Sequence, residues 1–250
     1  MDDVDFRCAF LDGSKVKLTF ANSLLVRAKF RKTCARDVFF GSANFESVQM
    51  DGMICANCVY RDATMSHAHL NNIHFYREHS NEDIVYDAYE NINFTETSLV
   101  DATFERLSLH GTLFIGANMS RIRIIKCRFH RDLHKFASAS FQNSTLVNAT
   151  IQNSSFDEVH FAETNLSGAS ISVSNFTYLF MINVDLMGAT LEMCNFTGAN
   201  LAGCKMTDAN IYLSYFVKTN LTGCHGITDA QLAQATSIAG AILPNGTQVP

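Results

Sequence analysis

The side chains most able to do chemistry are two thiols, Cys55 and Cys58, set in the stretch Cys55-Ala56-Asn57-Cys58. A two-residue gap between cysteines suits a thiolate zinc site, but such a site needs four donors and no second pair follows. Four histidines, His67, His69, His74 and His79, lie close by. His69 and His74 are five residues apart, and the repeat described below puts them on adjacent walls, where convergence on one ion is difficult. No metal and no cofactor is therefore expected. The chain also lacks a nucleophile elbow, a phosphate-cradling glycine loop and an HExxH helix. Its Asn-x-Ser/Thr triplets, among them Asn143, Asn148 and Asn195, are by-products of a repetitive alphabet. No catalytic residue is expected, and the chain does not read as an enzyme.

Charge is the remaining chemical signal. Residues 15–36 hold seven Lys and Arg and no acid, whereas residues 78–90 hold five acids and no Lys or Arg. Glu78, Glu82 and Asp83 mark that acidic stretch. Residues 121–135 carry six basic side chains against Asp132 alone. Arg123, Lys126, Arg128 and Arg131 within it are candidates for meeting a partner, because a clustered charge of one sign attracts the other. A solvated face explains the same charges, and both readings stand at this stage.

These residues sit on a chain of 250 residues that is 47% apolar and 17% charged, with net charge −5. It has two prolines, Pro244 and Pro250, no tryptophan and twenty phenylalanines. The scarcity of proline and the scattered glycines argue against a sandwich rich in tight turns. No apolar run approaches a membrane span. The acidic start, MDDVDF, lacks the basic-then-apolar pattern of an export signal, so a cytoplasmic location is expected.

What positions everything is a period of five. From Phe141 to Leu221 an apolar residue falls on every fifth position, through Leu146, Ile151, Phe156, Phe161 and onward. Two residues before each stands a small or apolar one, such as Ala139, Ser144 and Ala149. Neither a helix, with period 3.6, nor a simple strand, with period 2, gives this spacing. Phe156, Phe176, Phe196 and Phe216 recur at twenty, so four pentads form one turn and these rings stack as a ladder, about 4.8 Å apart. The central residue and the small one before it point inward; the other three face water. Cys8, Cys58, Cys127, Cys194 and Cys204 fall on the small inward position, where cysteine acts as a compact apolar group. Earlier blocks repeat the pattern with lapses, Lys15 and Ala35 being poor fits. Two register breaks are expected, near 76–83, with Ile84 and Tyr89 as the next centres, and near 130–135, with Phe136 as the next centre two residues late.

The tandem units from Ala189 to Leu213, which include Ala199-Asn200-Leu201 and Ala209-Asn210-Ile211, resemble pentapeptide-repeat proteins. That resemblance implies an all-β fold, a right-handed quadrilateral parallel β-helix over residues 1–225. Residues 226–250 are expected to form a helical cap and tail, opened by Thr228 as helix N-cap and including Ala239 to Leu243. The functions it implies are two. One is a non-catalytic scaffold, an adaptor or a bacterial effector, that holds a protein partner on its walls and loops. The other is a DNA-mimicking modulator of gyrase of the quinolone-resistance type. Mimicry of a duplex wants a continuous acidic stripe, which the basic stretches interrupt. Direct nucleic-acid binding ranks below both, since the aromatic residues point inward and cannot stack on bases. The resemblance also implies pairing of two copies through the C-terminal end, and the lack of a signal is compatible with delivery into a host cell by a specialised secretion system.

Overall fold

The structure, a computed structural model, describes residues 4–13, 18–78, 88–129 and 139–250. Nine three-residue strands form one parallel sheet in chain order: β1 (Phe10–Asp12), β2 (Cys34–Arg36), β3 (Ile54–Ala56), β4 (His74–Tyr76), β5 (Thr103–Glu105), β6 (Arg123–Ile125), β7 (Thr150–Gln152), β8 (Ser170–Ser172) and β9 (Thr190–Glu192). Each pairs with the strand one turn on, as Ile151 does with Ile171 and Ile171 with Leu191. We call this wall A. Three further walls follow within each turn, joined from coil to coil by single-residue parallel bridges. Wall B runs through Ser155↔Asn175↔Asn195, wall C through His160↔Phe180↔Asn200 and wall D through Asn165↔Asp185↔Lys205. The result is the quadrilateral parallel β-helix that the period of five requires.

The core is filled by the central residues of the pentads. Phe156, Phe176, Phe196 and Phe216 stack at ring-centroid separations of 4.9, 5.1 and 5.0 Å. The ladder continues back to Phe129. A second column on wall C, Phe94, Phe114, Phe141 and Phe161, stacks as closely. It escapes a search for twenty-residue spacing because an insertion separates Phe114 from Phe141. Stacked aromatic pairs contribute about 0.5–1.5 kcal/mol each beyond the area they bury.

Four walls of three residues demand a sharp bend every fifth residue. The second residue after each centre takes positive φ, as at Asn143, Asn148, Glu163 and Gly168. Tight turns are therefore the most frequent local structure, contrary to what sparse glycine and proline suggest. Glycine is dispensable at most of them because Asn and Asp also tolerate the left-handed region. Three corners close with a hydrogen bond from the third residue after the centre back to the centre's carbonyl, such as Val159 N–H to Phe156 at 3.2 Å and Ala169 N–H to Leu166 at 3.0 Å.

The corner between walls A and B is closed differently in most coils, although Ser214 N–H still reaches the Ile211 carbonyl at 3.2 Å in the last one. There the N–H of Ser154 donates to Ser174 Oγ at 3.2 Å, that of Cys127 to Ser154 Oγ at 3.1 Å and that of Cys194 to Ser214 Oγ at 2.9 Å. An inward column of serine and cysteine one coil ahead thus satisfies donors that the turn leaves open, as buried amides require. Elsewhere the small inward residue donates to the centre one coil back: Thr164 to the Phe141 carbonyl at 2.7 Å and Thr219 to that of Phe196 at 2.8 Å. Inward Ser, Thr and Cys are consequently hydrogen-bonding groups as well as compact fillers.

The register breaks are larger than the spacing suggests. Phe75 pairs with Phe104 across 29 residues, where Ala35 pairs with Cys55 across 20. Nine extra residues are accommodated, and Tyr76 belongs to β4 rather than to the break. Tyr89 is the next centre, fully buried against Tyr60, while Ile84 lies outside the described residues. The second break adds seven residues, since Ile124 pairs with Ile151 across 27, and Phe141 follows Phe129 as the next centre; Phe136 lies outside the described residues. A third offset of four separates β1 from β2, whose Leu11 pairs with Ala35 across 24. Ala35 is itself a well-buried centre. This offset reverses the assignment of Cys8, which is exposed at a corner with φ of 60°; separately, Cys224, which sequence spacing left unplaced, is buried.

At the C-terminal end Thr228 caps α1 (Asp229–Leu232), its hydroxyl accepting from Gln231 N–H while the Gln231 side chain accepts from Thr228 N–H. The helix stops there. Residues Ala239 to Leu243 rejoin the coils through Tyr215↔Ser237 and Asn220↔Ile242 instead of extending it, and Ile242 then pairs antiparallel with Gln248. No helix among the described residues is long and apolar enough to cross a membrane.

Removing residues 79–87 leaves Phe75 and Phe104 twenty apart, so this deletion should unfold at the same temperature as the full chain or higher. Deleting 79–86 leaves one residue too many and, by shifting inward residues outward, should lower the melting temperature clearly. Phe176→Ala should destabilise the rod by about 3–5 kcal/mol in denaturant unfolding, as for other buried aromatic truncations.

Candidate interaction surface

The residues singled out by charge separate into three places. Glu78 is held at the base of the first insertion: Arg36 Nη1 donates to its carboxylate at 2.6 Å, and its own N–H donates to Asn57 Oδ1 at 2.9 Å. It is thus already occupied as an acceptor. Glu82, Asp83 and Arg131 lie outside the described residues. Arg123 stands on wall A in β6, exposed. Lys126 occupies the corner between walls A and B, and Arg128 the adjoining position of wall B.

Lys126 and Arg128 come together with a residue that charge counting missed. Arg106 sits one coil below Lys126 on the same corner, and the three cations line an open notch of about 310 Å³ with Cys127, Asn153 and Ser155. Its signal in the sequence was hidden, because Arg106 follows Glu105 and no basic run surrounds it. Arg106 donates to Glu105 at 2.8 Å. Arg123, Lys126 and Arg128 form no ion pair among the described residues, unlike Arg121, which grips Asp101 one coil back through two hydrogen bonds of 2.7 and 2.6 Å. That grip holds the Asp101 carboxyl below its usual range and raises the Arg121 guanidinium. The described part of the basic belt is therefore split: Arg121 is internally neutralised, and Arg123, Lys126 and Arg128 are not.

Of the candidate metal donors, His79 lies outside the described residues. Among the described residues no group of three or more His, Cys, Asp or Glu side chains could hold a metal ion. His67 lies 3.1 Å from Glu96, and His74 stacks on Tyr76 with ring centroids 4.6 Å apart. Burial holds the His74 imidazole below its usual pKa, with Glu105 opposing the shift. Cys55 is buried and contacts the Tyr60 hydroxyl at 3.3 Å; burial pushes its thiol up and takes that of Cys58 to about 12. Burial takes Cys127 and Cys194 to about 12 as well.

A second surface feature lies in the last coils, where large apolar side chains face outward. Tyr178 is 62% exposed, Met193 51% and Val173 49%, with Phe180, Tyr212, Leu213 and Tyr215 beside them. Tyr178 lies over Gly198, where a Cβ would come within 2.5 Å of its ring, so this glycine makes room for it. Tyr178, Phe180, His160 and Glu158 border an open groove of about 500 Å³.

A stack of five-residue units with inward aromatic ladders and four walls per turn is the geometry of one family, and its sequence model, pentapeptide repeats, matches eight copies over residues 91–131, 135–172, 154–192 and 194–225. The chain belongs to the pentapeptide-repeat family. Among solved structures it is similar to HetL, a pentapeptide-repeat protein involved in heterocyst differentiation regulation from the cyanobacterium Nostoc sp. strain PCC 7120. Identity is 19% over 99% of this chain and 92% of that one, with a TM-score of 0.32. A trypsin-treated form of QnrB1, a plasmid-mediated fluoroquinolone resistance protein, is 18% identical over 95% of this chain and 92% of its own, with a TM-score of 0.38. No curated protein matches the chain.

With thiols placed this way, a thiol reagent at neutral pH should modify only Cys8 and Cys34 in the native protein, and all eight cysteines after denaturation. Raising the pH to 9 should leave Cys58, Cys127 and Cys194 unlabelled, because thiols near 12 remain protonated there. Peptide mapping by mass spectrometry reads the outcome; rapid native labelling of Cys58 or Cys127 would contradict the buried placement.

Proposed function

We propose that this pentapeptide-repeat protein is a non-catalytic scaffold that holds a protein partner on its outer walls. The observation that carries this reading is the pairing of a filled core with unspent surface groups. Inward positions are packed by phenylalanine, leucine and small residues, so the surface offers open notches in place of a deep catalytic cleft. Lys126, Arg123 and Arg128 meanwhile form no ion pair among the described residues. Eight free thiols suit action in a reducing compartment, the cytoplasm of its own cell or that of a host into which it is delivered as an effector. Pairing of two copies through the C-terminal end belongs to the same reading.

The reading as a DNA-mimicking gyrase modulator, suggested by the fold it has in common with QnrB1, has weaker electrostatic support. Among the described residues no corner column carries acids on consecutive coils: Asp62 is followed by Asn91, Glu96 by Gly116 and Asp101 by Arg121. A duplex presents its phosphates without such gaps.

Two measurements separate these readings. Supercoiling by gyrase should proceed unchanged with the protein in excess, and duplex DNA should show no salt-sensitive binding between 50 and 200 mM salt. Partner capture from a lysate should weaken at least tenfold for Arg106→Gln/Lys126→Gln/Arg128→Gln with the melting temperature unchanged. Inhibited supercoiling would move the assignment to the mimic, and capture indifferent to those cations would take them out of the interface.

A further inference from the structure

One corner of the rod differs from the others in what it places at the strained position. Elsewhere the left-handed position holds glycine, Asn or Asp, as at Asn143, Asn148 and Gly168, or a charged or polar side chain, as at Glu163 and Lys218, and only rarely an apolar one. Between walls A and B, three successive coils place Val173, Met193 and Leu213 there, at φ of 49°, 52° and 56°. A β-branched valine with positive φ is a genuine outlier, and strain of this kind persists where something else is gained. The same three side chains are 49%, 51% and 43% exposed, so burial in the folded chain does not compensate them. Each is therefore unfavourable twice, in its backbone and in its contact with water. They stand in line because their coils are in register, Ile171 opposite Leu191.

The same corner, followed toward the N-terminus, passes through Asn153 to Lys126 and Arg106. A cationic notch and an apolar ridge are thus two ends of one edge. The walls beside the ridge present polar groups, Ser172, Asn175 and Asn195, with the acid Glu192 among them, which is the make-up of an interface rim. From Arg106 to Leu213 the edge spans roughly 24 Å at about 4.8 Å per coil, the length of roughly seven residues of extended chain. We propose that this edge docks an extended polypeptide carrying acidic residues toward one end and apolar side chains toward the other, the acids meeting Arg106, Lys126 and Arg128 and the apolar groups packing on Val173, Met193 and Leu213. This deepens the scaffold reading and rests on it. An anionic membrane is disfavoured as occupant by the acids Asp157 and Glu192, which flank the ridge. A nucleic acid would leave the apolar half of the edge without a partner.

The test pans a displayed library of random twelve-residue peptides on the full chain and titrates synthesised winners by fluorescence anisotropy. Selected peptides should join an acidic run to two or more apolar residues. Val173→Asn/Met193→Asn/Leu213→Asn should weaken their binding at least tenfold, and Arg106→Gln/Lys126→Gln should weaken it similarly while flattening its salt dependence. The triple asparagine variant should also melt several degrees higher than wild type, because asparagine suits the left-handed corner; that rise separates lost docking from lost folding. An unchanged or lower melting temperature removes the strain argument and with it the proposal. Winners that bind the triple variant as tightly as wild type overturn the docking edge while leaving the scaffold reading in place. Selection of no peptide, with binding to phosphatidylserine vesicles or duplex DNA instead, overturns both.

Discussion

Everything in this molecule depends on one hydrogen bond repeated from coil to coil, in which an outward-facing residue donates its N–H to the coil before and the central residue donates its own to the coil after. Asn175 N–H reaches the Ser154 carbonyl at 2.9 Å, and Phe176 N–H reaches that of Asn195 at 2.8 Å. Because these bonds fix the rise per coil, identical residues must sit above one another. The aromatic columns, the ion pair of Asp101 with Arg121 and the apolar ridge are all products of that stacking. Proline is nearly absent for the same reason: wherever an N–H is committed, it cannot stand.

The repeat was legible because burial restricts residue types. Most centres are Phe, Leu, Ile or Met, with exceptions such as Ala35, Cys55 and Tyr89, and the inward companion is mostly small or aliphatic, so the pattern survives in residue identities alone. The corner conformation was not legible, because the outward residue there faces no packing constraint and reads as Glu163, Tyr178 or Lys218 as readily as glycine. The size of each insertion was not legible either, because only pairing across it, Phe75 with Phe104 and Ile124 with Ile151, reveals how many residues it adds. Cys8 was misplaced through Phe10, which looks like a centre but is 69% exposed, while Phe6 occupies the stack.

Surface features were harder still. Lys126 and Arg128 could be identified as outward cations from position alone, but Arg106 joins them only once a coil separates residues 20 apart. The serine and cysteine column at the corner between walls A and B belongs to the same class. Read linearly, Cys127, Ser154, Ser174 and Cys194 are unremarkable small residues; stacked, each meets the open backbone donor of its neighbour. This corner is also where the first insertion departs, whereas the second leaves from the corner between walls B and C, after Phe129.

The spacing of partners has a kinetic meaning. Most backbone pairings of this all-β chain bridge about 20 residues of a 250-residue sequence, a relative separation on the order of 0.1, which is typical of fast-folding helical bundles and unlike that of sandwiches. Each coil needs only its predecessor as a template. The rod can therefore wind progressively as the chain emerges during synthesis, each new turn closing on a finished one, with no need to wait for distant sequence.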